Sequence, residues 1–171
     1  MLCGRSSLCL TFFLTFMLLC PSSSAAVGPL PDLVGPWLAE SGDAIPFRTA
    51  SEDLGVWHNR IYTRSAPPGR IEAILMEGPG PGTLLVPQGA VSADDLPLGF
   101  GARYQTLDIE GHRAVLERQD ILGTALAIEL GKDRTLTLES AGASQEELTE
   151  FATQVIDRKS TRLNSSHARL S

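Results

Sequence analysis

Three cysteines occur in the chain, Cys3, Cys9 and Cys20, and all of them lie within its first twenty residues. Once that segment is removed, no residue is left to form a disulfide, to act as a thiol nucleophile or to ligate a metal through sulfur. Histidine is nearly as scarce. His58 and His112 are far apart in sequence, and neither neighbours a nucleophile motif such as Gly-x-Ser-x-Gly. A catalytic triad and a zinc site with closely spaced ligands are therefore both missing from the pattern, and no cofactor or metal is expected. Basic side chains are few: residues 27–156 hold nine of them against nineteen acidic ones, and Lys132 is the single lysine. That balance excludes nucleic acid as a partner, because phosphate binding needs clustered Lys and Arg. The loop Glu77–Gly82 has glycines but lacks the lysine and hydroxyl of a phosphate cradle, and Pro79 and Pro81 remove backbone donors. Carboxylates stand in pairs at Asp94-Asp95 and Glu146-Glu147, and a general acid would need one of them raised in pKa by burial.

A targeting signal opens the chain. Arg5 precedes the apolar run Leu8–Leu19, and Ser24-Ala25-Ala26 offers the small residues that a signal peptidase requires. The run is too short to span a membrane, so residues 1–26 are expected to be a signal peptide cut after Ala26. Cys20, followed by Pro21 and three serines, also resembles a bacterial lipoprotein start, although Leu19 stands where that signal has a small residue. Membrane attachment is thus expected only through a lipid anchor at Cys20.

The body divides by pattern. Residues 27–55 are interrupted by Pro29, Pro31, Pro36 and Pro46 and by Gly28, Gly35 and Gly42, and are expected to be an irregular lead-in segment with Trp37 and Leu38 docked on the core. Residues 56–156 are expected to form one α+β domain. Within it, Val56–Arg64 and Arg70–Glu77 have strand composition and flank a break at residues 65–69, which makes a hairpin. One helical turn is expected at Ser92–Leu96. Four alternating segments follow. Leu107 and Ile109 precede a turn at Glu110-Gly111, then come Ala114–Leu116, then Leu126, Ile128 and Leu130, and after a short loop Leu136 and Leu138. The period of two and the short connections predict an antiparallel meander. Ser144 with Glu147 matches a capping box, and Leu148, Phe151, Ala152, Val155 and Ile156 form one apolar stripe. The fold class is therefore α+β, an antiparallel meander packed by a C-terminal amphipathic helix.

Residues 157–171 depart from this body. Arg158, Lys159, Arg162 and Arg169 arrive together against the single acid Asp157. The stretch Asp157-Arg158-Lys159-Ser160-Thr161-Arg162-Leu163-Asn164-Ser165-Ser166-His167 resembles the translation of a common sequencing adapter, which implies an artefact tail.

One cluster suggests binding. On a strand from 56 to 63, His58, Arg60 and Tyr62 share a face, and Arg64 and Arg70 flank the next turn. Cations beside an aromatic suit an anionic ligand or an acidic envelope protein, while the alternative is a solvated outer sheet face. In element order, a signal followed by a meander and a closing helix resembles the PsbP-like group of small bacterial envelope domains, which implies architecture and not activity. The expected function is a non-enzymatic secreted or periplasmic domain that binds a partner or ligand. An envelope hydrolase with an unrecognised carboxylate site, or a fragment of a larger secreted protein, are the alternatives, and converging acids in a concave pocket would favour the hydrolase.

Overall fold

The computed structural model describes residues 29–80, 84–94 and 101–167, with side chains placed at 29–80, 84–92 and 101–157. The signal segment, the lipoprotein-like start at Cys20 and part of the 77–82 loop lie outside the described residues.

Four consecutive hairpin strands form the meander: β7 (Arg103–Ile109), β8 (His112–Gln119), β9 (Gly123–Gly131) and β10 (Arg134–Ser140). Glu110 and Gly111 both have positive φ, 53° and 77°, between β7 and β8. Such a mirror-image turn matches the right-handed twist of the strands it joins. The 56–77 hairpin is also present, as β4 (Asp53–Ser65) and β5 (Pro68–Glu77), and β5 pairs with β10 to continue the sheet. The break between them is shorter than the sequence suggested. Ser65 pairs with Pro68, which leaves Ala66 and Pro67, joined by a cis peptide bond, as the turn.

Two expected elements differ. The lead-in segment contributes β1 (Leu33–Val34), β2 (Trp37–Ala39) and β3 (Asp43–Arg48). Pro46 is tolerated because β3 is an edge strand among the described residues, where a lost backbone donor breaks few ladder bonds, and Pro31 and Pro36 lie outside the strands. Ser92–Asp94 is a strand, β6, paired with β7, and not a helical turn. Among the described residues the strand order is β1-β2-β4-β5-β10-β9-β8-β7-β6, with β3 also on β4, and every pairing is antiparallel.

Helix α1 (Gln145–His167) follows the last strand. The Ser144 N–H donates to Glu147 Oε2 at 3.0 Å and the Glu147 N–H donates to Ser144 Oγ at 3.2 Å, so two free donors at the helix start are satisfied reciprocally. Leu148, Phe151, Ala152, Val155 and Ile156 are buried in one cluster with Tyr62, Ile71, Leu75, Leu126, Ile128, Leu136 and Leu138. The register shows that these sheet residues share one face, since Tyr62 lies opposite Ile71 and Leu136 opposite both Leu75 and Ile128. This helix-side face holds the main core, and the other face, termed open here only for lacking the helix, also buries Met76, Val115, Ala127 and Thr137.

Candidate functional site

Four of the five residues singled out by sequence, His58, Arg60, Tyr62 and Arg64, do share a face, but it is the helix-side one. Tyr62 is fully buried, its hydroxyl donates to the Pro31 carbonyl at 2.6 Å, and its ring meets Phe151 edge-on at 4.8 Å. Arg60, with its side chain 12% exposed, donates to the Leu30 carbonyl at 2.7 Å and pairs with Asp32 at 2.8 Å. Arg64 lies over Trp37 at 4.3 Å, pairs with Glu147 at 2.7 Å and donates through Nε to the Pro67 carbonyl. His58 faces Glu77 at 3.4 Å. Arg70 alone is on the open face, 3.4 Å from Glu72. The expected cationic grip is thus corrected: Arg60, Tyr62 and Arg64 hold the N-terminal segment and the helix to the sheet, and no shared solvent-facing surface unites the five.

His58 and His112 sit on β4 and β8, four strand spacings or roughly 19 Å apart across the sheet. His112 Nδ1 lies 3.1 Å from the Glu129 carbonyl oxygen. Among the described residues no group of three or more His, Cys, Asp or Glu side chains is arranged to hold a metal ion. No described helix is long and apolar enough to cross a membrane.

The open face carries a different arrangement. Glu72, Glu139, Ala125, Glu117 and Tyr104 occupy one row across β5, β10, β9, β8 and β7, each directly opposite the next. Glu72 and Glu139 are cross-strand neighbours of like charge, a destabilising pair in the absence of compensation. Compensation is partial. Glu72 accepts from Asn59 Nδ2 at 2.8 Å and lies near Arg70, and Glu117 accepts from the Tyr104 hydroxyl at 3.2 Å and from the Gln119 amide. The Glu139 carboxyl titrates above the usual range, first because its surroundings partly desolvate it and then because Glu72 and Glu117 are negative.

Beside this row is a shallow recess of about 170 Å³, lined by Glu117, Glu139 and Ala125 and walled by Gln119 and Leu122. The β8–β9 turn carries Ile121 and Leu122, 87% and 71% exposed, and Leu122 borders the recess. Gly123, at φ 98°, closes that turn against β10, and a Cβ there would collide with the Ser140 carbonyl oxygen. Glu117 and Glu139 stand on alternate strands with Ala125 between them, so their backbones are about 10 Å apart. Sequence reasoning missed this site because only cross-strand register brings Glu72, Glu117 and Glu139 into line. The visible signal was that both Glu117 and Glu139 fall on the polar phase of their strands.

Fold and recess together define an α+β protein whose antiparallel sheet carries an acidic row on the face away from the helix. In comparisons with protein-family models, curated proteins and solved structures, the chain matches none.

Proposed function

We propose that the protein is a non-enzymatic binding domain, exported across the cytoplasmic membrane and periplasmic or envelope-attached, whose partner is an envelope protein presenting a Lys- or Arg-bearing segment. The recess carries this reading, because it sets the carboxylates of Glu117 and Glu139 beside the exposed apolar Leu122. Lysine and arginine have the matching build, an apolar stem with a cationic head. An anionic ligand is the poorer fit, since Arg60 and Arg64 are engaged internally and the open face is lined with acids. In this reading the domain is a meander whose leucine face is covered by an amphipathic helix, with the element order of PsbP-like envelope domains as an architectural analogy only. In this reading the domain ends at Ile156 and the adapter-like stretch 157–167, into which α1 continues, lies outside it. Sequencing the source locus across the codon for Asp157 tests that last point, and a genomic copy of the stretch refutes it.

The binding reading is tested with two labelled peptides of equal length, one alternating Lys with Leu and one alternating Glu with Leu. The cationic peptide is expected to raise fluorescence anisotropy, to bind less tightly as salt rises, and to lose about tenfold in affinity in Glu117→Gln/Glu139→Gln, the scale of one charged hydrogen-bonded contact. Equal binding of both peptides, or no change in the double variant, sinks it.

A hydrolase is the second reading, favoured by the meeting of two carboxylates at one recess with Glu139 shifted toward the protonated form. An inverting hydrolase pairs a protonated acid with a second carboxylate that activates water, at a separation of roughly 6.5–9.5 Å between carboxyl groups. Turnover of chromogenic glycosides that disappears in Glu139→Gln supports this reading, and turnover that survives that change removes it.

A further inference from the structure

The β8–β9 connection has a composition that turn formation does not account for. Gln119 pairs with Gly123, so the loop is Asp120-Ile121-Leu122, and two of its residues are large aliphatics where glycine, asparagine, aspartate and serine are the usual choices. Both aliphatic side chains stand largely in solvent. Exposed, they contribute nothing to the core, whereas contiguous apolar surface is what binding sites present. Leu33, Leu38 and Ile45 are exposed as well, Leu38 against the expectation that it docks on the core, but they belong to three separate short strands at the far edge of the sheet. The β8–β9 tip is also braced. Gly123, at its base, abuts the Ser140 carbonyl and Ala141 so closely that a Cβ would not fit, and the paired strands continue directly from it. A tip already held in shape loses little freedom when it binds.

Charge decides what this tip fits. Asp120 is part of the loop, Glu117 and Glu139 line the recess that Leu122 borders, and Glu146 stands in the first turn of α1 beside Gln145, which accepts from Arg118. The cations close by are engaged, Arg103 with Asp120 and Arg118 with Gln145. The tip is therefore apolar at its point and acidic around its base. An anionic bilayer repels such a rim, and a second copy of the chain would bring the same acids against it. A protein surface with an apolar pocket rimmed by Lys or Arg matches both parts. We propose, resting on the binding reading above, that Ile121 and Leu122 are the apolar anchor of that interface: they enter a pocket of the partner protein while Glu117 and Glu139 take its cationic rim. The two parts act on different steps. Buried anchors set how slowly a complex comes apart, and rim charges set how fast it forms and how steeply salt weakens it.

The test uses protein expressed from the full chain and two labelled peptides of equal length and charge, one repeating Lys-Lys-Leu-Leu and the other Lys-Lys-Ser-Ser. The parent is expected to bind the leucine peptide about tenfold more tightly, through slower dissociation. Ile121→Ser/Leu122→Ser is expected to bring the two peptides within about twofold of each other, with the serine peptide's affinity and the thermal midpoint unchanged. If the leucine preference persists in the variant, or the parent has none, the anchor is overturned while the binding reading stands. If neither cationic peptide binds the parent, the binding reading falls and the anchor falls with it. Sedimentation, alone and with phosphatidylcholine vesicles with or without phosphatidylglycerol, covers the other occupants. A dimer or a vesicle complex that the double variant abolishes overturns the proposal in favour of a second copy or a bilayer.

Discussion

Glu139 and Glu147 show how position sets the sign of a carboxylate's contribution. Glu147 is held below the usual range, first by the backbone N–H of Ser144 and then by Arg64. A depressed folded-state pKa gives stability that is present above the unfolded value and is lost as pH falls through the folded one. Glu139 is raised, so its folded form prefers the proton, and its cost appears as pH climbs through the unfolded value toward the folded one. Thermal melts from pH 3 to 7 should therefore diverge in opposite directions. Glu147→Gln should match the parent near pH 3 and fall below it at pH 7, whereas Glu139→Gln should match at low pH and exceed the parent at pH 7 by about 0.3–1 kcal/mol, the scale of an exposed like-charge pair. A parallel pair of curves would count against the like-charge row. Gly123 provides a backbone test at the same scale. Gly123→Ala meets both a left-handed φ and the Ser140 backbone, and should cost about 1–3 kcal/mol by chemical denaturation. Gly111→Asn, in the open β7–β8 turn with nothing near its Cβ, should cost only a few tenths of a kcal/mol, since asparagine tolerates that conformation.

Elements with one clear period were legible in the sequence. Leu126, Ile128, Leu136 and Leu138 alternate with smaller or polar residues, and all four are buried as that alternation requires. The cap formed by Ser144 and Glu147 was equally visible, and Ser144→Ala should cost about 1 kcal/mol through loss of its bond to the Glu147 N–H, measured as a drop in the denaturation midpoint at constant m value. β4 was the element where sequence misled. Its two phases, Val56-His58-Arg60-Tyr62 and Trp57-Asn59-Ile61-Thr63, are equally mixed in polarity, so its own pattern cannot tell inside from outside. Only pairing with Ile71, Ala73 and Leu75 decides it. A break centred on Pro67 pairs Arg64 with Arg70 and turns the cations outward, whereas the observed two-residue turn pairs Arg64 with Gly69 and turns them inward. One residue of register exchanges the faces of a whole strand. The short strands β1 to β3 were hidden for a related reason, since prolines and glycines interrupt them while tertiary contacts hold them in place.

In the molecule as a whole, β4 is the strand on which separate parts of the chain converge. Ten of its thirteen residues, Val56 to Ser65, pair with β5, and its opposite edge is shared between β3, on Asp53–Asn59, and β2, on Tyr62 and Thr63. It also carries Arg60, Tyr62 and Arg64, which fasten the N-terminal segment and the helix. Most β4 amides are thus enclosed on both edges, and among the described residues those on the outer edge of β3 face no neighbouring strand. In heavy water the two should separate by kinetics. Deuterium should enter the outer edge of β3 through local fraying within minutes, while the β4 amides should admit it only when the entire molecule opens. The slowest label uptake in the protein would then report its global unfolding free energy directly, without denaturant, from a strand in which sequence alone showed no buried side.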